Sequence, residues 1–237
     1  MLAKEFKSAV KSVVGSCVSL GILVENKLGT DFVNELPGFI PSPAYYDRYH
    51  GVNRWKALTV ISMGIGQGEI GTTPLQMANM TAAIANRGYY YTPHIVKSVG
   101  ASNTIDQRFT TRHQINIDTA NFEMIVRGME AAVNGGAGAT GGVAIINDII
   151  VCGKTGTAQN PHGEDHSVFV AFAPKKDPKI AIAVYVENAG FGSTYAAPVA
   201  RLMIEKFIRG EISNKALEQR MLELNLEEKL LKSEAQH

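Results

Sequence analysis

Lys154, Thr155, Gly156 and Thr157 stand where an apolar run turns polar, within Val151-Cys152-Gly153-Lys154-Thr155-Gly156-Thr157-Ala158-Gln159-Asn160. Residues 143–151 are rich in β-branched side chains, which predicts an extended, mostly buried approach with Lys154 at the rim of a sheet. Strand side chains alternate with a period of two, so Thr155 and Thr157 share a face and, beside Lys154, offer hydroxyl donors to a carboxylate. Gly156 has no Cβ, so a second chain could lie against the backbone here and pair with it as an added strand. The Thr157 N–H is placed to stabilise a developing oxyanion, and one such donor is worth roughly 3 kcal/mol of transition-state stabilisation.

Other readings of these residues compete. Gly153-Lys154-Thr155 could close a phosphate-binding loop, but the first glycine of that pattern falls at Asp148, and the stretch after the lysine reads as extended, not helical. A polar strand end that binds nothing is the plainest alternative. Downstream, His162, Glu164, Asp165 and His166 have a spacing that can hold zinc; their loop setting favours hydrogen-bonding and lid roles instead, and no metal or other cofactor is expected.

The chain of 237 residues suits one large domain or two small ones, and a hydrophobic fraction of 45% is enough for a proper core. Its formal net charge of +1, with no basic stripe interleaved with aromatics, gives no support to nucleic-acid binding. Two cysteines, Cys17 and Cys152, make neither a disulfide framework nor a metal-ligand pattern, although one bridge between them stays open. The apolar run Val13 to Val24 is broken by Gly15, Ser16, Ser19 and Gly21, and at about 12 residues it falls short of the ~20 that span a bilayer. Val14-Gly15-Ser16-Cys17 has a faint likeness to a lipoprotein cleavage site, but Lys11 interrupts the segment leading into it, and residues 4–20 read as an ordinary helix. A membrane anchor, if the natural protein has one, is expected outside this chain.

The elements that must position residues 154–157 follow in order. Glu25 to Asn53 reads as irregular and polar, with turn signals at Leu36-Pro37-Gly38 and Pro41-Ser42-Pro43. Four glycines in Val60 to Gly71 point to a special turn or a closely packed backbone. Thr72-Thr73-Pro74 opens a core helix that Gly88 stops after Arg87, and Tyr89 to Val96, with Pro93, reads as an edge segment. Phe122, Ile125, Val126, Met129, Ala132 and Val133 make an amphipathic helical stripe, and the glycine-rich loop 134–142 follows it. Val168 to Ala173 and Ile180 to Val186 read as central strands. Val199, Leu202, Met203 and Phe207 form a helix stripe against the sheet, and Asn214 to Gln236 a solvated helix with Leu217, Met221 and Leu224 on its dry side. The expected fold class is α+β, an antiparallel β-sheet with helices packed on it.

Several stretches together resemble one family. They are Leu36-Pro37-Gly38 with Ile40-Pro41-Ser42, Ile65-Gly66-Gln67-Gly68, Thr73-Pro74-Leu75-Gln76-Met77-Ala78, Ala85-Asn86-Arg87-Gly88, Thr92-Pro93-His94 and Gly153-Lys154-Thr155-Gly156-Thr157-Ala158-Gln159, in that order. In these the chain is similar to the C-terminal part of a class B penicillin-binding protein of the elongation type over about residues 25–210, and Lys-Thr-Gly is one of that superfamily's short motifs. The resemblance implies a partial penicillin-binding, serine β-lactamase-like transpeptidase fold; the domain is expected to run over residues 1–237, with 1–24 read from the residues as an N-terminal helix and 211–237 as a charged helical tail. It implies a peptidoglycan D,D-transpeptidase that cross-links stem peptides through a serine acyl-enzyme and is acylated by β-lactams. Lys154 would set the local positive potential, Thr155 and Thr157 would meet the substrate carboxylate, and the Thr157 N–H would form half of the oxyanion hole. The implied partners are the stem peptide, β-lactam antibiotics and the cell-wall elongation machinery, at the periplasmic face of the bacterial inner membrane.

One departure matters. The family's nucleophile is the serine of Ser-x-x-Lys at the start of a buried helix, and the one match here, Ser8-Ala9-Val10-Lys11, sits in a lysine-rich stretch without a Gly/Pro-rich lead-in. The family's Ser-x-Asn motif has no counterpart either, since Ser16 is followed by Cys17 and Val18. The expectation is a piece carrying one wall of the site, inactive alone, with its nucleophile outside the chain. A non-catalytic binding or scaffold module of the same fold is the alternative. Losing the helical half would bare one face of the sheet, so self-association is also expected.

Overall fold

The computed structural model describes residues 38–94 and 105–224. The expected N-terminal helix, Ser8-Ala9-Val10-Lys11, Cys17, Leu36-Pro37 and Ile95-Val96 lie outside those residues, as does the tail after Leu224.

Helix α1 (Pro43–His50) begins where Ser42 caps it, its Oγ accepting from the Tyr45 N–H, with a proline in the first turn. This corrects the irregular reading of 25–53: Pro41-Ser42-Pro43 is a helix start, not only a turn. A short helix α2 (Ala57–Val60) runs into a 3₁₀ turn, Ile61–Ile65, that ends at Gly66 in the left-handed region (φ 76°), followed by Gly68 at φ 73°. The glycine-rich stretch is thus a special turn, as its composition predicts. Helix α3 (Pro74–Ala85) carries a full capping box: the Gln76 N–H donates to Thr73 Oγ1, and the Thr73 N–H donates back to Gln76 Oε1. Strand β1 (Tyr89–Tyr90) pairs antiparallel with β2 (His113–Gln114), and a one-turn helix α4 (Gln107–Thr110) precedes β2. Helix α5 (Thr119–Asn134), capped by Asp118, buries Phe122, Val126, Met129 and Val133, while Ile125 of the expected stripe is exposed.

Strands β3 (Cys152–Ala158), β4 (His166–Ala173) and β5 (Ile180–Val186) make an antiparallel sheet in the order β3-β4-β5, with Lys154 opposite Val170 and Val170 opposite Ala183. Helix α6 (Ala196–Arg209) follows, then α7 (Lys215–Leu222). Strand alternation sends Phe169, Ala171, Ile182 and Val184 to one face, where Ala196, Ala197, Ala200 and Ile204 of α6 cover them. Cys152, Phe172 and Ala181 go to the other face, against Ala85 of α3 and Val126 and Met129 of α5. Helix, sheet and helix form an α+β stack with the sheet in the middle.

Three further expectations need correction. Residues 143–151 are not a strand. Gly142–Ala144 is a 3₁₀ turn, and Ile146 and Ile149 form an isolated bridge across a tight turn with Asp148 at φ 63°. Ile146, Ile149 and Val151 are buried, but Ile145 and Ile150 are exposed; β-branching is satisfied by this folded-back loop as well as by a strand. Phe207 points to solvent, because α6 turns the small residues Ala197 and Ala200 to the sheet and so approaches it closely. In α7 only Leu217 is buried; Leu224 is exposed beyond the helix end.

Arg87, just past α3 at φ 58°, joins three elements. Its guanidinium donates to Glu123 Oε1 on α5 (2.9 Å), to the Ala85 carbonyl and to the Lys175 carbonyl in the β4–β5 turn (3.3 Å), while Lys175 Nζ reaches Glu130 on α5 (2.6 Å). The hydrogen bond and the charge of Arg87 hold the Glu123 carboxyl below its ordinary value. A carboxyl lowered in the folded state adds stability above its unfolded value of 4.5, and this is lost as pH falls through the lower folded value. In thermal melts across the acid range, Arg87→Gln is expected to be less stable at neutral pH and to lose less on acidification than the parent.

Candidate functional site

β3 is an edge strand: β4 pairs it on one side, and among the described residues no strand pairs it on the other. In an antiparallel pair the peptide groups of successive residues point alternately toward and away from the partner strand. The side-chain donors to carbonyls in and just before β3 show which are which. The Thr157 carbonyl accepts from Gln67 Nε2 (3.2 Å), the Thr155 carbonyl from Lys154 Nζ, and the Val151 carbonyl from Asn134 Nδ2 of α5 (2.8 Å). The peptide groups of Thr155 and Thr157 therefore line the outer edge, and Gly156 faces β4.

The side chains divide differently. Thr155 and Thr157, opposite Phe169 and Ser167, share one face, as expected. Lys154 and Gly156 lie on the other, so the ammonium is not beside the two hydroxyls; its long stem brings Nζ round to the edge at the Thr155 carbonyl. Lys154 is exposed, and its neighbours on that face, Val168 and Val170, are only half-buried. Thr155 Oγ1 donates to Thr140 Oγ1 (3.1 Å), which ties the strand to the glycine-rich loop after α5.

The β3–β4 pair is braced on the face that carries Ser167 and Phe169. A Cβ on Gly192 would lie 2.2 Å from the Val168 carbonyl oxygen and 2.6 Å from that of Gly156, so only a glycine lets this backbone rest on the β3–β4 pair. Ser167 fixes it there: its buried hydroxyl donates to the Phe191 carbonyl (2.9 Å) and accepts from the Ala196 N–H at the start of α6 (3.1 Å). Gly153 likewise makes room for the Phe169 ring.

The 159–166 loop closes on itself. Asp165 accepts from the Asn160 N–H at its side chain (3.1 Å) and from the Ala189 and Gly190 N–H groups at its carbonyl, and His166 Nδ1 accepts from the Asn188 N–H (3.1 Å). Asp165 and His166 thus brace the β3–β4 hairpin against the turn after β5, while His162 and Glu164 are exposed. Among the described residues no three His, Cys, Asp or Glu gather as metal ligands.

Gln67 and Thr140 are the contacts that reasoning along the strand missed. The Ile65-Gly66-Gln67-Gly68 pattern identified a turn, and only the tertiary fold places its side chain on a strand 90 residues away. An apolar cleft of about 410 Å³ between α3, β1 and α5, lined by Met80, Ile84, Tyr90, Ile117 and Phe122 among others, contains none of residues 154–157.

A Lys-Thr-Gly strand on the open side of such a sheet defines a class of protein: the chain belongs to the penicillin-binding protein transpeptidase domain family, whose model matches residues 21–205. Its relatives within the family include proteins of the PBP2 type. The peptidoglycan D,D-transpeptidase MrdA of Haemophilus influenzae is 37% identical over 172 residues, which cover 65% of this chain and 26% of that protein. The protein of the same name from Acinetobacter baumannii is 32% identical over 197 residues, 77% of this chain and 29% of that one. The crystal structure of Pseudomonas aeruginosa PBP2 in complex with WCK 5153 matches with a TM-score of 0.66 at 32% identity, over 86% of this chain and 45% of that one. The chain spans less than a third of the length of either curated relative.

Cys152, directly before the motif, is fully buried, and burial, reinforced by the Glu130 carboxylate, pushes its thiol up to about 11. With Cys17 replaced by Ser, the native protein is expected to resist iodoacetamide at mildly alkaline pH and to take up one equivalent when unfolded, as read by intact-mass spectrometry.

Proposed function

We propose that residues 154–157 form the substrate wall of a peptidoglycan D,D-transpeptidase site, where the C-terminal end of a stem peptide joins the outer edge of β3 as an added strand. The observation that carries this reading is the side of β3 that no described strand pairs, with the Thr155 and Thr157 peptide groups turned outward. Lys154 supplies positive potential at that edge, and the Thr155 and Thr157 hydroxyls meet the terminal carboxylate.

In such a site a serine oxygen adds to the carbonyl of the terminal D-Ala-D-Ala bond. The Thr157 N–H donates to the oxyanion as it forms, D-alanine leaves with a proton, and an amine from a second stem displaces the serine from the ester. A β-lactam enters the same sequence at the acylation step. The similarity to PBP2-type proteins extends the proposal to the cell-wall elongation machinery as partner and to the periplasmic face of the bacterial inner membrane as place. Among the described residues, no helix is long and apolar enough to cross a membrane.

The wall does not supply a nucleophile, and Ser8-Ala9-Val10-Lys11 is the one Ser-x-x-Lys in the sequence. Intact-mass spectrometry after incubation with a reactive penicillin is expected to find no adduct on this chain; a stoichiometric adduct on Ser8 overturns its inactivity. Substrate recognition is tested separately, by following backbone amide resonances while titrating the chain with diacetyl-L-Lys-D-Ala-D-Ala. The amides of Thr155, Gly156 and Thr157 are expected to shift with the free-carboxylate peptide and not with its C-terminal amide. Equal shifts with both, or none with either, would count against the assignment.

A further inference from the structure

The Gln67 side chain is the one described group that crosses from another element to the outward carbonyl of Thr157. A primary amide presents the same kind of N–H as a peptide bond, so Gln67 Nε2, at 3.2 Å, satisfies Thr157 as the backbone of an adjacent strand would.

The turn that carries it is firmly built. The Gly66 and Gln67 N–H groups donate to the Met63 and Ser62 carbonyls (both 3.0 Å), and Gly68 at φ 73° leaves no room for a Cβ beside Ser62 Oγ. Phe39 and Gly71 exchange two backbone hydrogen bonds (2.7 and 2.9 Å), and buried Tyr46 donates to Glu69 Oε2 (2.9 Å). The backbone at 67 is held by its own hydrogen bonds, and the amide reaches β3 at the end of a side chain with rotatable bonds.

Unpaired strand edges invite any extended chain, and proteins commonly blunt them. We propose that Gln67 is a displaceable cap on β3: its amide occupies the Thr157 carbonyl in the empty protein, and the N–H of a docking peptide takes its place. The inference rests on the peptide-binding reading of the β3 edge. It adds a selectivity element, because a ligand with no N–H at that position leaves the carbonyl to Gln67 and gains nothing from the exchange.

The test is the same diacetyl-L-Lys-D-Ala-D-Ala titration, run on the parent chain, Gln67→Ala and Gln67→Met, the last keeping the length of the side chain without its donor. Exchanging one hydrogen bond for another forfeits its net worth, so removing the competitor is expected to tighten peptide binding by about two- to tenfold in both variants. In the parent, the Gln67 side-chain amide resonances are expected to move as peptide saturates the site. Well-dispersed spectra of both variants before titration establish that they are folded, and a variant without them is replaced by the other. Unchanged or weaker binding in a folded variant, with Thr155 to Thr157 still shifting, overturns the cap and leaves the proposed function standing. No response at Thr155 to Thr157 in any of the three proteins overturns both.

Discussion

One-sided pairing governs this structure. β3 spends half its backbone hydrogen-bonding capacity on β4 and turns the other half outward, at the segment where its side chains become a lysine, two threonines and a glycine. An unpaired edge is ordinarily a liability. Here three side-chain donors from inside and outside the strand meet it: Asn134 at Val151, Lys154 at Thr155 and Gln67 at Thr157. Each is a single side-chain contact to a carbonyl, and none of them continues the ladder as a strand would.

The rest of the described molecule holds that edge in place. α6 packs small residues onto one face, and α3 and α5 cover part of the other, with Arg87 and Lys175 bonding α3, α5 and the β4–β5 turn together. The apolar layers thin out toward Lys154, where Val168 and Val170 are half-covered. The Lys-Thr-Gly residues and the incomplete packing coincide at the same end of the sheet.

Local chemistry made some of this readable from sequence and left the rest hidden. Thr73 followed by Pro74 and Gln76 is a self-contained capping signal, and the helix starts there. The β4 and β5 strands and the α5 helix announce themselves by continuous or periodic apolar residues. Residues 143–151 misled because a β-branched run records burial and stiffness, not partner geometry, and Asp148 in the left-handed region folds the run back on itself. Phe207 misled because a periodic position says which side of a helix a residue occupies, while the alanines decide how close that helix comes. At the site, the order of residues 154–157 was legible, but the edge position of β3, the separation of Lys154 from the threonine hydroxyls and the reach of Gln67 depend on contacts distant in sequence.

The glycine at 192 carries a consequence for how the edge meets a visitor. Its bare backbone rests on the peptide groups of Gly156 and Val168, clamped by Ser167 and the first turn of α6. On the proposed reading, β3 is thus braced on the face that carries Ser167 before a peptide reaches its edge. On that reading most of the entropy surrendered on association would fall to the incoming chain, and a rigid mimic that has already surrendered it would start with the advantage.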